Sequence, residues 1–191
     1  MLKRLDVRWH ARAGQGAVTA AHNLAEIMAQ EEGAYARAFA VYGAEKRGAP
    51  VIAFTRLSDH PIRDHSEYME PDVVLLLDPT LVGLVNIAEG TKKGATVIVN
   101  TSLKKEDLIK QLNLKGFKVY ILDANKISRD ELGRSIPNVP MLGALSQVLN
   151  LIDKDSLSKK VEKLLKDAGK FSEKIVRGNI NALKKGFEGV Q

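Results

Sequence analysis

The segment "LDVRWHARAGQGAVTAAHNLAEIMAQ" (Leu5–Gln30) decides the fold. Its opening residues alternate apolar and polar side chains, the pattern of a strand. Its closing residues set Val18, Ala21, Leu24, Ala25 and Met28 on one face of a helix running from Ala17 to Glu31. Between the two lies "RAGQG", a tight turn of the kind that holds an anion in many α/β proteins. Gly14 and Gly16 permit positive φ and a close approach of ligand to backbone. The amides at the start of the helix face such an anion, helped by the helix dipole. Arg12 adds a cation, and Gln15 brings a side-chain amide that donates and accepts. As a dinucleotide fingerprint, G-x-G-x-x-G, the match is poor. Ala11 and Ala13 stand where glycines are expected, and no acidic residue clearly ends the next strand to take a ribose. A strand–helix turn without any ligand stays open at this point.

Working outward, five further runs read as strands: "AYARAFAVY" (34–42), "VIAFTRLS" (51–58), "DVVLLLD" (72–78), "ATVIVN" (95–100) and "FKVYILD" (117–123). The last three are nearly continuous apolar blocks, as in buried parallel strands. Helical periodicity falls near Thr80–Glu89, Lys104–Leu112 and Lys126–Arg134. Strand and helix alternate, so an open, mostly parallel, twisted α/β sheet of Rossmann-like type with right-handed crossovers is expected. The runs 34–42 and 51–58 can instead form an antiparallel pair around "GAEKRGAP". From Leu142 onward the pattern is helical, with one stripe through Leu145, Leu149 and Ile152 and another through Leu157, Val161 and Leu164. An α/β domain over 1–153 and a basic amphipathic helical extension over 154–191, packed on the domain or on a partner, is the expected organisation.

Composition narrows the function. At 191 residues and 45% hydrophobic, the chain suits one packed core. It has no cysteine, which excludes disulfides, a thiol nucleophile and any iron–sulfur cluster ligated by this chain alone. The charged start "MLKRLDVRWH" lacks the apolar stretch of a signal peptide, and "VVLLL" is far too short to span a bilayer, so a soluble cytoplasmic protein is expected. The "DHPIRDH" run (Asp59–His65) reads as a polar surface loop, turned by Pro61, rather than as a metal site. Five of the six net positive charges lie in residues 154–191, with ten basic and five acidic side chains there. Their lysines read as the solvated faces of amphipathic helices. Few aromatics are interleaved with them, so a nucleic-acid platform is unsupported.

In an open parallel sheet, ligands bind beyond the carboxyl ends of the strands. Besides the glycine turn, those ends carry Asp78, Asn100 and Asp123, each equally suited to capping the element that follows. A second constellation is "VYGAEKRGAP" (Val41–Pro50), where Gly43 and Gly48 bracket Glu45, Lys46 and Arg47. Arg47 can grip a phosphate or carboxylate with two parallel hydrogen bonds, and a charged hairpin loop without a ligand is the equal alternative on the residues alone.

Taken together these segments resemble the gamma subunit, or gamma domain, of 2-oxoacid:ferredoxin oxidoreductases, with pyruvate synthase the nearest member. That family has a G-x-G-G-Q-G turn, a "YGPE-x-RGG"-like loop, an "R-x-S" strand followed by "PI", a "D-P" after a buried strand and an "N-x-x-x-LGA" helix start. Here they fall on Gly14-Gln15-Gly16, Tyr42–Gly48, Arg56–Ser58 with Pro61-Ile62, Asp78-Pro79 and Asn138–Leu145. Ala11, Ala13 and Ala49 depart from it. The resemblance implies a non-catalytic subunit of a hetero-oligomer with alpha, beta and delta partners. The whole enzyme interconverts a 2-oxoacid plus coenzyme A with an acyl-CoA and CO2, using thiamine diphosphate with Mg2+ and iron–sulfur clusters in the partners and ferredoxin as electron carrier. It further implies that Arg12, Gly14, Gln15, Gly16, Tyr42, Gly43, Glu45, Arg47 and Gly48 help seat coenzyme A, and that the isolated chain is inactive. A stand-alone NAD(P)-dependent oxidoreductase and a nucleic-acid-binding module using the basic tail are the alternatives.

Overall fold

The computed structural model describes residues 4–42, 48–64, 66–82, 84 and 86–191, with Tyr42 described by its backbone alone. Six strands, β1 (Arg4–Arg12), β2 (Tyr35–Tyr42), β3 (Pro50–Ser58), β4 (Val73–Leu76), β5 (Thr96–Asn100) and β6 (Lys118–Leu122), form one sheet in the order β2-β3-β1-β4-β5-β6. Strands β1, β4, β5 and β6 run parallel. The pair β2–β3 is antiparallel and joins the sheet through an antiparallel β1–β3 ladder. The expected α/β sheet is therefore present, with the antiparallel option realised at one side. The last three strands are the continuous apolar blocks, and β4 and β5 are buried on both faces.

Helices α1 (Ala17–Met28), α4 (Asn138–Leu149), α5 (Lys154–Asp167) and α6 (Glu173–Gly189) cover one face. Their Leu24, Ile27, Met141, Leu145, Val161 and Leu183 meet Val7, Trp9 and Leu75 from the sheet in a single core. Each such side chain removed from water contributes about 2 kcal/mol. Trp9 lies wholly inside, and its indole N–H donates to Thr55 Oγ1 at 3.1 Å, whose own hydroxyl donates to the Ala21 carbonyl. Leu157, Val161 and Leu183, from the basic C-terminal segment, share this core. Four of its nine lysines are paired: Lys160 with Glu31, Lys154 with Glu188, Lys166 with Glu162 and Lys185 with Glu131.

The opposite face is covered by α2 (Lys105–Gln111) and by the segments before β4 and β5, while α3 (Ala124–Leu132) follows β6 and packs against α6. The helix expected over Thr80–Glu89 is not formed. A single 3-10 turn, Pro79–Leu81, is followed by tight turns among the described residues. The end of this segment is instead held by Arg8, whose guanidinium donates to the Ile87 and Glu89 carbonyls and to the Thr91 hydroxyl. The alternating pattern of β1 also needs a correction, because it suggests one solvated face and both are buried. Asp6, Arg8 and His10 are 4, 8 and 4% exposed, and Arg56 on β3 is 3% exposed. Arg56 grips Asp6 through two bonds of 2.5 and 2.9 Å, reaches Asp64 at 3.0 Å and lies 3.8 Å over the Tyr68 ring.

Helices α4 and α6 touch through glycine. A Cβ on Gly186 would overlap the Pro140 backbone, and one on Gly143 would overlap the Leu183 carbonyl. Gly186→Ala is therefore expected to lower stability by about 2 kcal/mol in urea unfolding. Gly189→Ala is the control. Its nearest neighbour would be a Leu122 methyl at 3.5 Å, so its effect stays within about 0.5 kcal/mol. His10 generates a pH dependence. Burial first, and the Arg8 charge second, push its imidazole down to about 4. The folded state thus binds the proton less readily than the unfolded chain, whose histidine titrates near 6.5. Stability is fully present above pH 6.5 and falls by about 3 kcal/mol as the pH drops to 4. In His10→Leu, urea unfolding across that window is expected to lose this component of the slope.

Candidate functional site

The glycine turn sits at the carboxyl end of β1, and the fold brings two distant segments to it. Backbone bonding does part of the work: the Ala13 amide donates to the Ala49 carbonyl at 3.0 Å, and Leu77 N–H to the His10 carbonyl at 2.8 Å. Side chains do the remainder. Arg12 donates through Nε to Thr80 Oγ1 at 2.9 Å and through Nη1 to the Gly48 carbonyl at 2.9 Å, and Nε lies 3.4 Å from Asp78 Oδ2. Gln15 folds back so that its Oε1 accepts from the Arg12 amide at 2.8 Å while its Nε2 donates to Asp78 at 2.7 Å. The other Asp78 oxygen accepts from the Thr80 amide and caps the 3-10 turn. The turn 12–16, the end of the second loop at Gly48 and the Asp78-Pro79-Thr80 element are thus one bonded unit.

Within that unit the two glycines differ. Gly14 has φ 97°, and a methyl group placed on it would meet no atom within 4 Å, so its backbone is open to an approaching group. Gly16 has φ 80° and caps α1, and a Cβ there would run into the Asn138 side chain at the start of α4. Ala11 and Ala13 sit at ordinary negative φ, so the absent glycines leave no strain behind. The N–H groups of Gly14, Gly16 and Ala17 have no acceptor among the described residues. Beside the turn a cleft of about 560 Å3 runs between α1 and the loops around α5, with Asn138, Arg134, Lys170 and Phe171 on its walls.

The other predicted residues divide. Asn100 is fully buried, donates to the Leu77 carbonyl at 2.7 Å and accepts from the Asn125 amide at 3.2 Å, tying the ends of β4 and β5 to α3. Asp123 caps α3 through the Lys126 amide at 2.8 Å, beside a second cleft lined by Thr101, Lys104 and Lys105. Both stand at the ligand edge, but their polar atoms serve the fold. Tyr42 ends β2 opposite Val51. Gly43, Glu45 and Arg47 lie outside the described residues. Thr80 and Asn138 were not among the residues expected to build the site. Thr80 was visible only as the residue after "DP", and Asn138 only as the first residue of the "NVPMLGAL" motif.

With this geometry in place, comparison with known proteins assigns the chain. The profile of the family described as pyruvate ferredoxin/flavodoxin oxidoreductase matches residues 6–189. The pyruvate/ketoisovalerate oxidoreductases common subunit gamma of Thermococcus litoralis is 43% identical over 184 residues, which cover 96% of each chain. Pyruvate synthase subunit PorC of Thermotoga maritima is 41% identical over 189 residues, covering 99% of this chain and 96% of that one. The crystal structure of the Thermotoga maritima subunit superposes with a TM-score of 0.82 at 36% identity, over 99% of this chain and 98% of that one. The same fold recurs in a 2-oxoglutarate:ferredoxin oxidoreductase of Magnetococcus marinus solved with 2-oxoglutarate, coenzyme A and succinyl-CoA bound. There the TM-score is 0.76 at 18% identity, over 97% of this chain and 31% of that one. Neither the NAD(P)-dependent nor the nucleic-acid-binding alternative finds support among these relatives. The three bonded segments and the matched length agree: the chain belongs to the pyruvate ferredoxin/flavodoxin oxidoreductase family, as a gamma-type subunit.

Proposed function

We propose that this chain serves a multisubunit 2-oxoacid:ferredoxin oxidoreductase acting on pyruvate, that it assembles with alpha, beta and delta subunits, and that its glycine-turn edge covers the active site and helps to seat coenzyme A. The observation that carries this reading is the convergence of residues 12–16, 48–49 and 78–80 through Arg12 and Gln15. A chain without cysteine ligates no iron–sulfur cluster by itself. In this reading the clusters and thiamine diphosphate belong to the partner chains, and this chain supplies binding groups only.

Those groups suit a phosphorylated ligand. The amides of Gly14, Gly16 and Ala17 stand at the start of α1 without intrachain acceptors among the described residues, where the helix dipole favours negative charge. The Asp78 carboxylate, which would repel a phosphate, is occupied by Gln15, Thr80 and Arg12. Arg12 keeps Nη2 without a partner among the described residues, and its side chain is 29% exposed, so it can take one phosphate oxygen while holding the turn. Arg47 joins it in this proposal.

Two experiments test the reading. In native purification from the source cell, this chain is expected to co-elute with three partner chains and with CoA-dependent pyruvate:ferredoxin activity; elution alone would remove the assembly. In the assembled enzyme, Gln15→Ala combined with Arg47→Ala is expected to raise the KM for coenzyme A roughly tenfold and to leave the KM for pyruvate in place. An unchanged KM for coenzyme A rejects the seating role and leaves this subunit a structural one.

A further inference from the structure

The sheet has two edges, and the chain treats them differently. Along β6, the Ile121 backbone exchanges two hydrogen bonds with Gln191, at 2.9 and 3.1 Å, so that edge is partly covered from within. Along the other edge, β2 bonds to β3 alone, and no described residue bonds its outer side. Soluble proteins blunt such edges with lysine, proline, bulges or very short strands. The β2 edge has none of these. It is eight residues long, its register with β3 is unbroken, it contains no proline or lysine, and its one charge is Arg37. Tyr35 and Val41 stand 44 and 37% exposed along it.

We propose that a second copy of this chain pairs with β2 in antiparallel fashion about a two-fold axis at Ala38, joining two six-stranded sheets into one. The strand's own sequence selects that occupant and that register. Side chains directly opposite in an antiparallel pair lie on one face, so the axis must pass through a residue. At Ala38, Tyr35 meets Val41 of the second copy, Ala36 meets Ala40, and Arg37 meets Phe39. These are an aromatic–aliphatic pair, a small–small pair and a cation over a ring, each made twice by symmetry. Arg37 already stands 5.9 Å from the Phe39 ring within one chain, so the contact has a precedent in the strand itself. An axis one residue earlier would set Arg37 against Arg37. An axis one residue later would leave Tyr35 opposite a residue beyond the strand. Only the Ala38 register uses the full length from Tyr35 to Val41 without opposing like charges.

The test uses the full chain purified alone, by size exclusion with light scattering. The wild type is expected at twice the chain mass at tens of micromolar. Tyr35→Lys with Val41→Lys opposes two cations at each end of the pairing and is expected to weaken self-association about tenfold or more, with the melting temperature unchanged within a few degrees. Tyr35→Glu with Val41→Lys restores opposite charges in the proposed register and is expected to restore the dimer. A monomeric wild type, a dimer that survives the two lysines, or a charge-swapped variant that stays monomeric each overturns the proposal. So does a monomeric wild type whose double-lysine variant no longer enters the assembled enzyme, which would give this edge to a strand of a partner subunit.

Discussion

Strand β1 is central and covered on both sides, yet every second residue along it is polar, and that constraint organises the molecule. A buried charge must find a partner or it costs several kcal/mol. Asp6 finds Arg56, Arg8 finds the carbonyls of Ile87 and Glu89, and Arg12 finds Asp78 and the Gly48 carbonyl. Each partner comes from a segment remote in sequence. The polar face of one strand therefore fixes the course of the irregular layer between β3 and β5, which its own helix or strand propensity could not do. His10 differs: its buried Nε2 has no partner among the described residues, and burial together with the Arg8 charge keeps its imidazole neutral.

The same constraint explains what was legible in the sequence. All six strands were readable, because "VVLLL" and "TVIVN" are apolar without interruption and "AYARAFAVY" alternates. The glycine turn was readable because Gly14 and Gly16 do adopt positive φ. The helix expected over Thr80–Glu89 is not formed, and local periodicity carries no information about the bonds that Arg8, more than seventy residues earlier, makes to Ile87, Glu89 and Thr91. The burial of Asp6, Arg8 and His10 was hidden too, since alternation is the same whether the polar face meets water or a covering loop.

At the site, the chemistry of individual residues was legible and their partners were not. Gln15 could be recognised as a group that donates and accepts, but nothing local shows that both ends are used within the chain, on Arg12 and on Asp78. This changes its meaning. A glutamine bonded at both ends of its amide holds the turn in one conformation. Asp78 and Asp123 resolved toward their capping roles, and Asn100 toward a buried bridge between strand ends. The carboxyl edge is thus polar and rigid, with few side-chain atoms left over for chemistry.

Glycines extend that rigidity into the helical layer. Gly16 must lack a side chain because Asn138 of α4 fills the space beside it, and Gly143 of the same helix must lack one because Leu183 of α6 does. Gly186 of α6 in turn accommodates Pro140 of α4. Two backbone approaches therefore join α4 to α6, and the Asn138 side chain joins α4 to the turn. The turn is in this way tied to the packing of the helical layer, and two motifs far apart in sequence, "GQG" and "NVPMLGAL", meet where Asn138 lies against Gly16.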